Sequence, residues 1–116
     1  MEFKKNHDFE KRLSESQQIM KKYPGRLPII VEKYKNSRLN DIDKTKFLVS
    51  KELKMSQFLF IIRKRIKISS SESIFLFIGE NGQLCPSATE IGDIYENYSD
   101  KDGFLYLTYA NENTFG

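Results

Sequence analysis

The stretch KELKMSQFLFIIRKRIK, residues 51–67, limits the possible folds more than any other part of the chain. Met55, Leu59, Ile62 and Ile66 recur at i, i+4, i+7 and i+11, which is one apolar stripe along an α-helix. Phe58 and Ile61 form a second line beside it, ending at Arg65. The apolar surface is wider than one stripe requires. Either the core wraps far round this helix, or part of that width lines a groove. Ser50 is placed to cap the first turn. Such a helix must bury its apolar face against a second layer, and β-prone runs lie on both sides of it in the sequence.

Before the helix come RLPIIVEK (26–33) and KFLVS (46–50), separated by the polar run YKNSRLNDIDK. Their order predicts antiparallel neighbours joined by a long loop. Pro28 has no N–H to give to a ladder and predicts an edge or a bulge rather than a regular central strand. In KFLVS, Phe47 and Val49 fall on one face, Lys46 and Leu48 on the other. After the helix, SIFLFIG reads as a buried central strand. Asn81-Gly82 reads as a hairpin turn. SATEIGDIYENY reads as a short helix, with Ser87 as its cap and Glu90 three residues on. GFLYLTYA is a last strand. At the start, residues 2–22 read as helix in two pieces, with Phe9, Leu13 and Met20 in one apolar line and Ile19 and Tyr23 beside it. Pro24 and Gly25 end that stretch. The order helix, helix, strand, strand, helix, strand, helix, strand predicts an α+β fold, a ubiquitin-like β-grasp with two extra N-terminal helices. The expected organisation is a helical N-terminal subdomain (1–24), a core (25–110) and a C-terminal tail (111–116).

Composition removes several functions. Cys85 is the only cysteine and His7 the only histidine, so no intrachain disulfide and none of the usual Cys/His zinc sites can form. The same scarcity argues against a Ser-His or Cys-His catalytic pair, and no cofactor motif is present. Beside Pro86, Cys85 reads as a small apolar residue. Nothing approaches the ~20 apolar residues of a membrane span, and MEFKKNHDFEKR has no apolar signal-peptide core, so the expected address is the cytosol with peripheral membrane contact. Charge is divided unevenly. Residues 1–71 carry 18 Lys/Arg against 8 Asp/Glu, a net +10, while residues 72–116 carry 1 against 8, a net −7. A basic face of this kind attracts acidic peptides, anionic lipid or nucleic acid. RKRIK lacks any accompanying RNA- or DNA-binding motif, and no specific nucleic acid is expected.

Four blocks in order carry a resemblance: FEKRLSESQQIMKKYPGRLPIIVEK, NDIDKTKFLVS, QFLFIIRKRI, and DGFLYLTY followed by FG. They resemble the autophagy ubiquitin-like modifiers, the GABARAP-like family, across nearly the whole chain. The resemblance implies a non-enzymatic protein joined through a C-terminal glycine, here Gly116, to the amine of phosphatidylethanolamine. It implies activating, conjugating and ligase enzymes, a deconjugating cysteine protease, and a lipid-anchored place on autophagosomal membranes or cytoplasmic vesicles. A residue without Cβ threads a catalytic cleft with least hindrance, and a thioester keeps the acyl group reactive until an amine attacks it.

The resemblance also implies capture of receptor and adaptor peptides with an aromatic residue, two variable residues and an aliphatic one. The peptide would add a strand beside KFLVS. Glu15, Ile19, Pro28 and Ile30, with Lys46, Leu48 and Phe104, match the pocket for the aromatic anchor. Phe47, Val49, Leu53 and Phe58, with Ile61, Ile62 and Arg65, match the pocket for the aliphatic one. Arg26 and Lys44 are basic flanks that, with Lys46, would meet acidic residues beside the motif. Two departures stand out. Ser50 replaces a proline common in relatives, and GENGQLCPSATEIGD is longer than its GABARAP-like counterpart. An unconjugated alternative, an interaction module in microtubule or vesicle trafficking, has tubulin as its further partner.

Overall fold

The computed structural model describes residues 1–80 and 82–111. Two short helices come first, α1 (Glu2–Asn6) and α2 (Phe9–Lys22), as two pieces within 2–22. Strands β1 (Arg26–Lys33) and β2 (Lys46–Ser50) follow, then α3 (Met55–Ile66), β3 (Phe75–Ile78), α4 (Ile91–Tyr98) and β4 (Leu105–Ala110). The sheet order is β2-β1-β4-β3. β1 runs antiparallel to β2 and parallel to β4, and β3 runs antiparallel to β4. The mixed sheet with its long helix is the α+β ubiquitin-like arrangement expected from the element order.

Strand alternation gives the sheet two buried faces. Odd-numbered residues Leu27, Ile29, Val31, Phe47, Val49, Leu105 and Leu107 pack with Met55, Phe58, Ile62 and Ile66 of α3. Even-numbered Ile30, Phe104 and Tyr106 pack with Phe3 of α1, and Ile19 of α2 lies against them. α1 and α2 therefore form a third layer on the sheet. The Phe3 and Phe104 rings meet edge to face at 5.1 Å.

A buried polar cluster fixes that third layer. The fully buried Asp102 carboxylate accepts hydrogen bonds from Arg12 Nη1 and Tyr106 Oη, each at 2.5 Å. Its second oxygen accepts from Phe104 N at 2.8 Å, and its carbonyl accepts from Ser16 Oγ at 2.5 Å. Each partner answers part of the cost of burying a carboxylate. Burial and the Asp102 hydrogen bond push the Tyr106 phenol up, so it stays a neutral donor. Breaking a buried pair of this kind on one side costs about 3–5 kcal/mol.

Four local expectations are corrected. β1 is interior, not an edge, yet Pro28 fits: Val31 N bonds Thr45 O at 2.8 Å and Lys51 N bonds Gly25 O at 3.3 Å. Bonded and non-bonded pairs alternate along an antiparallel ladder, so the Pro28 nitrogen turns toward β4, whose pairing begins only at Ile29. SIFLFIG is not central, because β3 ends the sheet. Its outer flank is met instead by the 83–85 segment, through Ile78 N to Gln83 O and Cys85 N to Leu76 O, both 2.9 Å. Asn81 of the expected turn lies outside the described residues. Neither Ser50 nor Ser87 caps a helix. α3 begins at Met55, and its first donors, Met55 N and Ser56 N, bond Thr89 O and Ser87 O at 2.9 and 3.0 Å. In return, Ile91 N and Gly92 N at the start of α4 bond Leu53 O and Lys51 O at 2.7 and 2.9 Å. The two helix starts satisfy each other's orphan donors through distant carbonyls. Finally, the buried stripe of α3 uses Phe58 where periodicity pointed to Leu59, which is half-buried.

Gly103 holds the polar cluster together at φ +89, and a Cβ there would stand 2.3 Å from Ser16 Oγ. Gly103→Ala should lower unfolding free energy by about 1–3 kcal/mol from the backbone alone. Ser16→Ala in the same chain should not restore it, as measured by urea denaturation.

Candidate functional site

Among the described residues β2 has one neighbour, so its other edge carries no sheet partner there. The same alternation that accommodates Pro28 turns Phe47 and Val49 backbone groups inward to Ile29 and Leu27. The N–H and C=O groups of Lys46, Leu48 and Ser50 turn outward. Arg26 Nη1 approaches Leu48 O at 3.4 Å, and Leu53 N bonds Ser50 O at 3.1 Å. The edge is short and carries a lysine, features that discourage random pairing.

On the even face, Lys46 lies across from Ile30 and Leu48 across from Pro28. Pro28, Ile30 and Phe104 are buried, while Leu48 and Ile19 are half-buried. Glu15 reaches from α2 to form an ion pair with the Lys46 ammonium, which also stands 5.5 Å from the Phe3 ring centre. The seven residues expected for the aromatic anchor thus meet between α2 and the β1–β2 pair. Phe3 completes the wall behind them. Sequence reasoning missed it because MEFKK offers a single aromatic with no periodic partner.

On the odd face, Phe47 and Val49 are buried under α3, and the Phe47 and Phe58 rings meet edge to face at 5.5 Å. Ile62 is fully buried beside them and Leu53 half-buried. Of the residues expected for the aliphatic anchor, these make a floor. Ile61, 37% exposed, and Arg65, 3.5 Å from the Asp43 carboxylate, stand at the surface. Lys44 Nζ lies 5.2 Å from the Phe47 ring centre. The wide apolar surface of α3 therefore serves mostly as core, with Ile61 as the part left open. Phe60, 57% exposed on the same helix, belongs to neither set.

Other candidates resolve simply. Cys85 is buried, and burial pushes its thiol up to about 12, in line with its reading as a small apolar residue. Among the described residues no cluster of His, Cys, Asp and Glu could hold a metal, and no helix is long and apolar enough to cross a membrane. Gly116 lies outside the described residues. The base of its arm is fixed: Tyr34 N bonds Tyr109 O at 2.8 Å, and Ser37 Oγ bonds Asn111 Oδ1 at 3.1 Å.

The helix that carries Phe3 is held at both ends. Glu32 accepts from Glu2 N and Phe3 N at 2.9 and 3.0 Å, and Lys4 Nζ bonds Asp100 at 2.7 Å. Burial raises the Asp100 carboxyl, but Lys4, the Asp102 N–H and Arg12 outweigh it and hold the group below its ordinary value. A carboxyl lowered on folding stabilises the fold above its ordinary pKa and loses that contribution as pH falls through the lowered value. Lys4→Met should therefore be less stable than the parent at neutral pH by about 0.5–1 kcal/mol. The gap should close as the pH is brought below that of ordinary carboxylates, as followed by thermal denaturation.

Comparison with known proteins places these features in context. Residues 11–116 match the family model described as "Autophagy protein Atg8 ubiquitin like". The chain is 48% identical to autophagy-related protein 8e of Arabidopsis thaliana over 114 residues, 98% of this chain and 92% of that one. It is 49% identical to autophagy-related protein 8 of Aspergillus niger over 114 residues, 98% and 95% of the two chains. Among solved structures it is similar to Trypanosoma brucei ATG8, with a TM-score of 0.91 and 39% identity over 100% of this chain and 98% of that one.

Proposed function

The chain belongs to the Atg8 family of ubiquitin-like autophagy proteins, and from that premise we propose that it is a membrane-conjugated adaptor, not an enzyme. Its Gly116 carboxylate is activated, carried as a thioester and joined by an amide bond to the amine of phosphatidylethanolamine on autophagosomal membranes. There it recruits receptors through short aromatic-x-x-aliphatic motifs.

The free edge of β2 is the observation that supports the capture reading best. A peptide strand laid along it meets the outward N–H and C=O groups of Lys46 and Leu48. Its aromatic residue would go to the even face, between Glu15, Ile19 and Leu48. Its aliphatic residue would go to the odd face, over Phe47 and beside Ile61. Lys44, Lys46 and Arg26 draw acidic residues beside the motif and raise the association rate. Docking breaks the Glu15–Lys46 pair or reuses it, which makes Lys46 a selectivity element.

Two variants test the two halves separately. Gly116→Ala should keep the parent's unfolding curve and lose membrane attachment in a reconstituted conjugation reaction; a lipidated variant overturns the conjugation half. Leu48→Glu should weaken binding of an aromatic-x-x-aliphatic peptide about tenfold or more by calorimetry, through lost apolar contact and an added charge. Undiminished affinity in a folded variant puts the docking edge elsewhere.

A further inference from the structure

The outer face of α3 has a chemistry that neither the core nor the peptide edge uses. Phe60 is the most exposed large apolar residue among those described, at 57%. Lys64, one turn on, holds its ammonium 4.6 Å from the Phe60 ring centre. Arg63 and Lys67 flank the same end of the helix, and α3 contains no acidic residue at all. Arg65 pairs with Asp43, but no carboxylate among the described residues forms an ion pair with Arg63, Lys64 or Lys67. Among the described residues the Arg63 guanidinium bonds the Ser69 carbonyl, at 2.9 Å, a neutral acceptor that does not compensate its charge. The one acidic residue soon after the helix, Glu72, is exposed and makes no ion pair with these cations.

The position of this face matters as much as its charge. Asn40 Nδ2 bonds Ile66 O at the end of α3, at 3.1 Å, and Tyr109 Oη bonds Asn40 O at 2.6 Å. Ser37, three residues before Asn40, holds Asn111. The cationic end of α3 is therefore tied to the strand and loop from which the C-terminal arm departs. Gly116 lies five steps along the chain from Asn111, a span of at most about 18 Å.

We propose that the outer face of α3 is a membrane-contact surface, with Phe60 entering the headgroup layer of an anionic bilayer and Arg63, Lys64 and Lys67 meeting its phosphates. Unpaired cations around one exposed aromatic suit an anionic interface, where each cation is worth about fivefold in partitioning. Contact through this face lays the sheet along the bilayer. The β2 edge then points sideways and α1 and α2 point away. This rests on the reading that Gly116 is the membrane anchor, since the last described residue before it, Asn111, is tied through the 37–40 loop to the end of α3.

The chain has no Trp, so Phe60→Trp creates a single reporter at an exposed site. A Gly116→Cys change allows coupling to a maleimide lipid without any conjugating enzyme, and buried Cys85 does not compete. On vesicles of phosphatidylcholine with 30% phosphatidylserine (about a third anionic lipid), tethered Phe60→Trp should shift to the blue and be quenched by brominated lipid. Tyr98→Trp, 45% exposed on α4, should do neither. Pure phosphatidylcholine, or Lys64→Glu in the reporter chain, should reduce quenching at least fivefold. An unshifted, unquenched Phe60→Trp on tethered anionic vesicles overturns the proposal, as does equal quenching at both positions. Because the tether is chemical, these outcomes are independent of whether Gly116 is lipidated by enzymes.

Discussion

The register between β1 and β2 is the constraint on which the rest of the molecule depends. Pairing Ile29 with Phe47 and Pro28 with Leu48 sends Leu27, Ile29, Val31, Phe47 and Val49 to α3, and turns the even residues, Ile30 among them, to the face that carries α1 and α2. A slip of one residue would exchange the two sets and turn Lys46 into the core. The same register decides which backbone groups of β2 face outward. One periodicity therefore fixes the core, the two sides of the candidate groove and the edge between them. Pro28 reinforces it from within. Its missing N–H is harmless only where β4 has not yet begun to pair.

The N-terminal helices depend on a second, polar constraint. Apolar contacts of Phe3 and Ile19 give α1 and α2 a surface to lie on, but such contacts have little direction. The bonds from Arg12, Ser16 and Tyr106 to Asp102 supply the direction. They set where Glu15 and Ile19 stand relative to β2, and hence the width of the even-side groove. Lys4 and Glu32 do the same for α1 at smaller cost, since their bonds are exposed or half-exposed.

Much of this was legible in the sequence because it follows from short-range periodicity. The stripe of α3, the alternation of KFLVS and the break at Pro24-Gly25 each need only a few neighbouring residues. What could not be read depends on long-range partners. Arg12 and Asp102 are 90 residues apart, and nothing local marks either as half of a buried pair. Ser50 and Ser87 have the side chains of helix caps, but carbonyls from across the fold occupy those roles. An unbroken apolar run such as SIFLFIG reports burial, not position in a sheet. β3 is buried yet terminal because the 83–85 segment covers its flank. The choice of Phe58 over Leu59 is a rotation of about 100° that periodicity alone cannot fix.

That same rotation separates the two surfaces of α3. Ile61 and Arg65 lean toward β2, as the Arg65–Asp43 pair and the packing of Phe47 on Phe58 require. Phe60 and Lys64 stand one residue earlier on their turns, about 100° round the helix and opposite the buried side. In the proposed docking, a peptide at β2 would touch the first pair and leave the second free. A helix that buries one face, borders a groove with the next and exposes a cationic aromatic on the third has no side left for mere solubility. The absence of any Asp or Glu along α3 is the simplest sign of this, because an exposed helix face kept only for solvation normally mixes both charges.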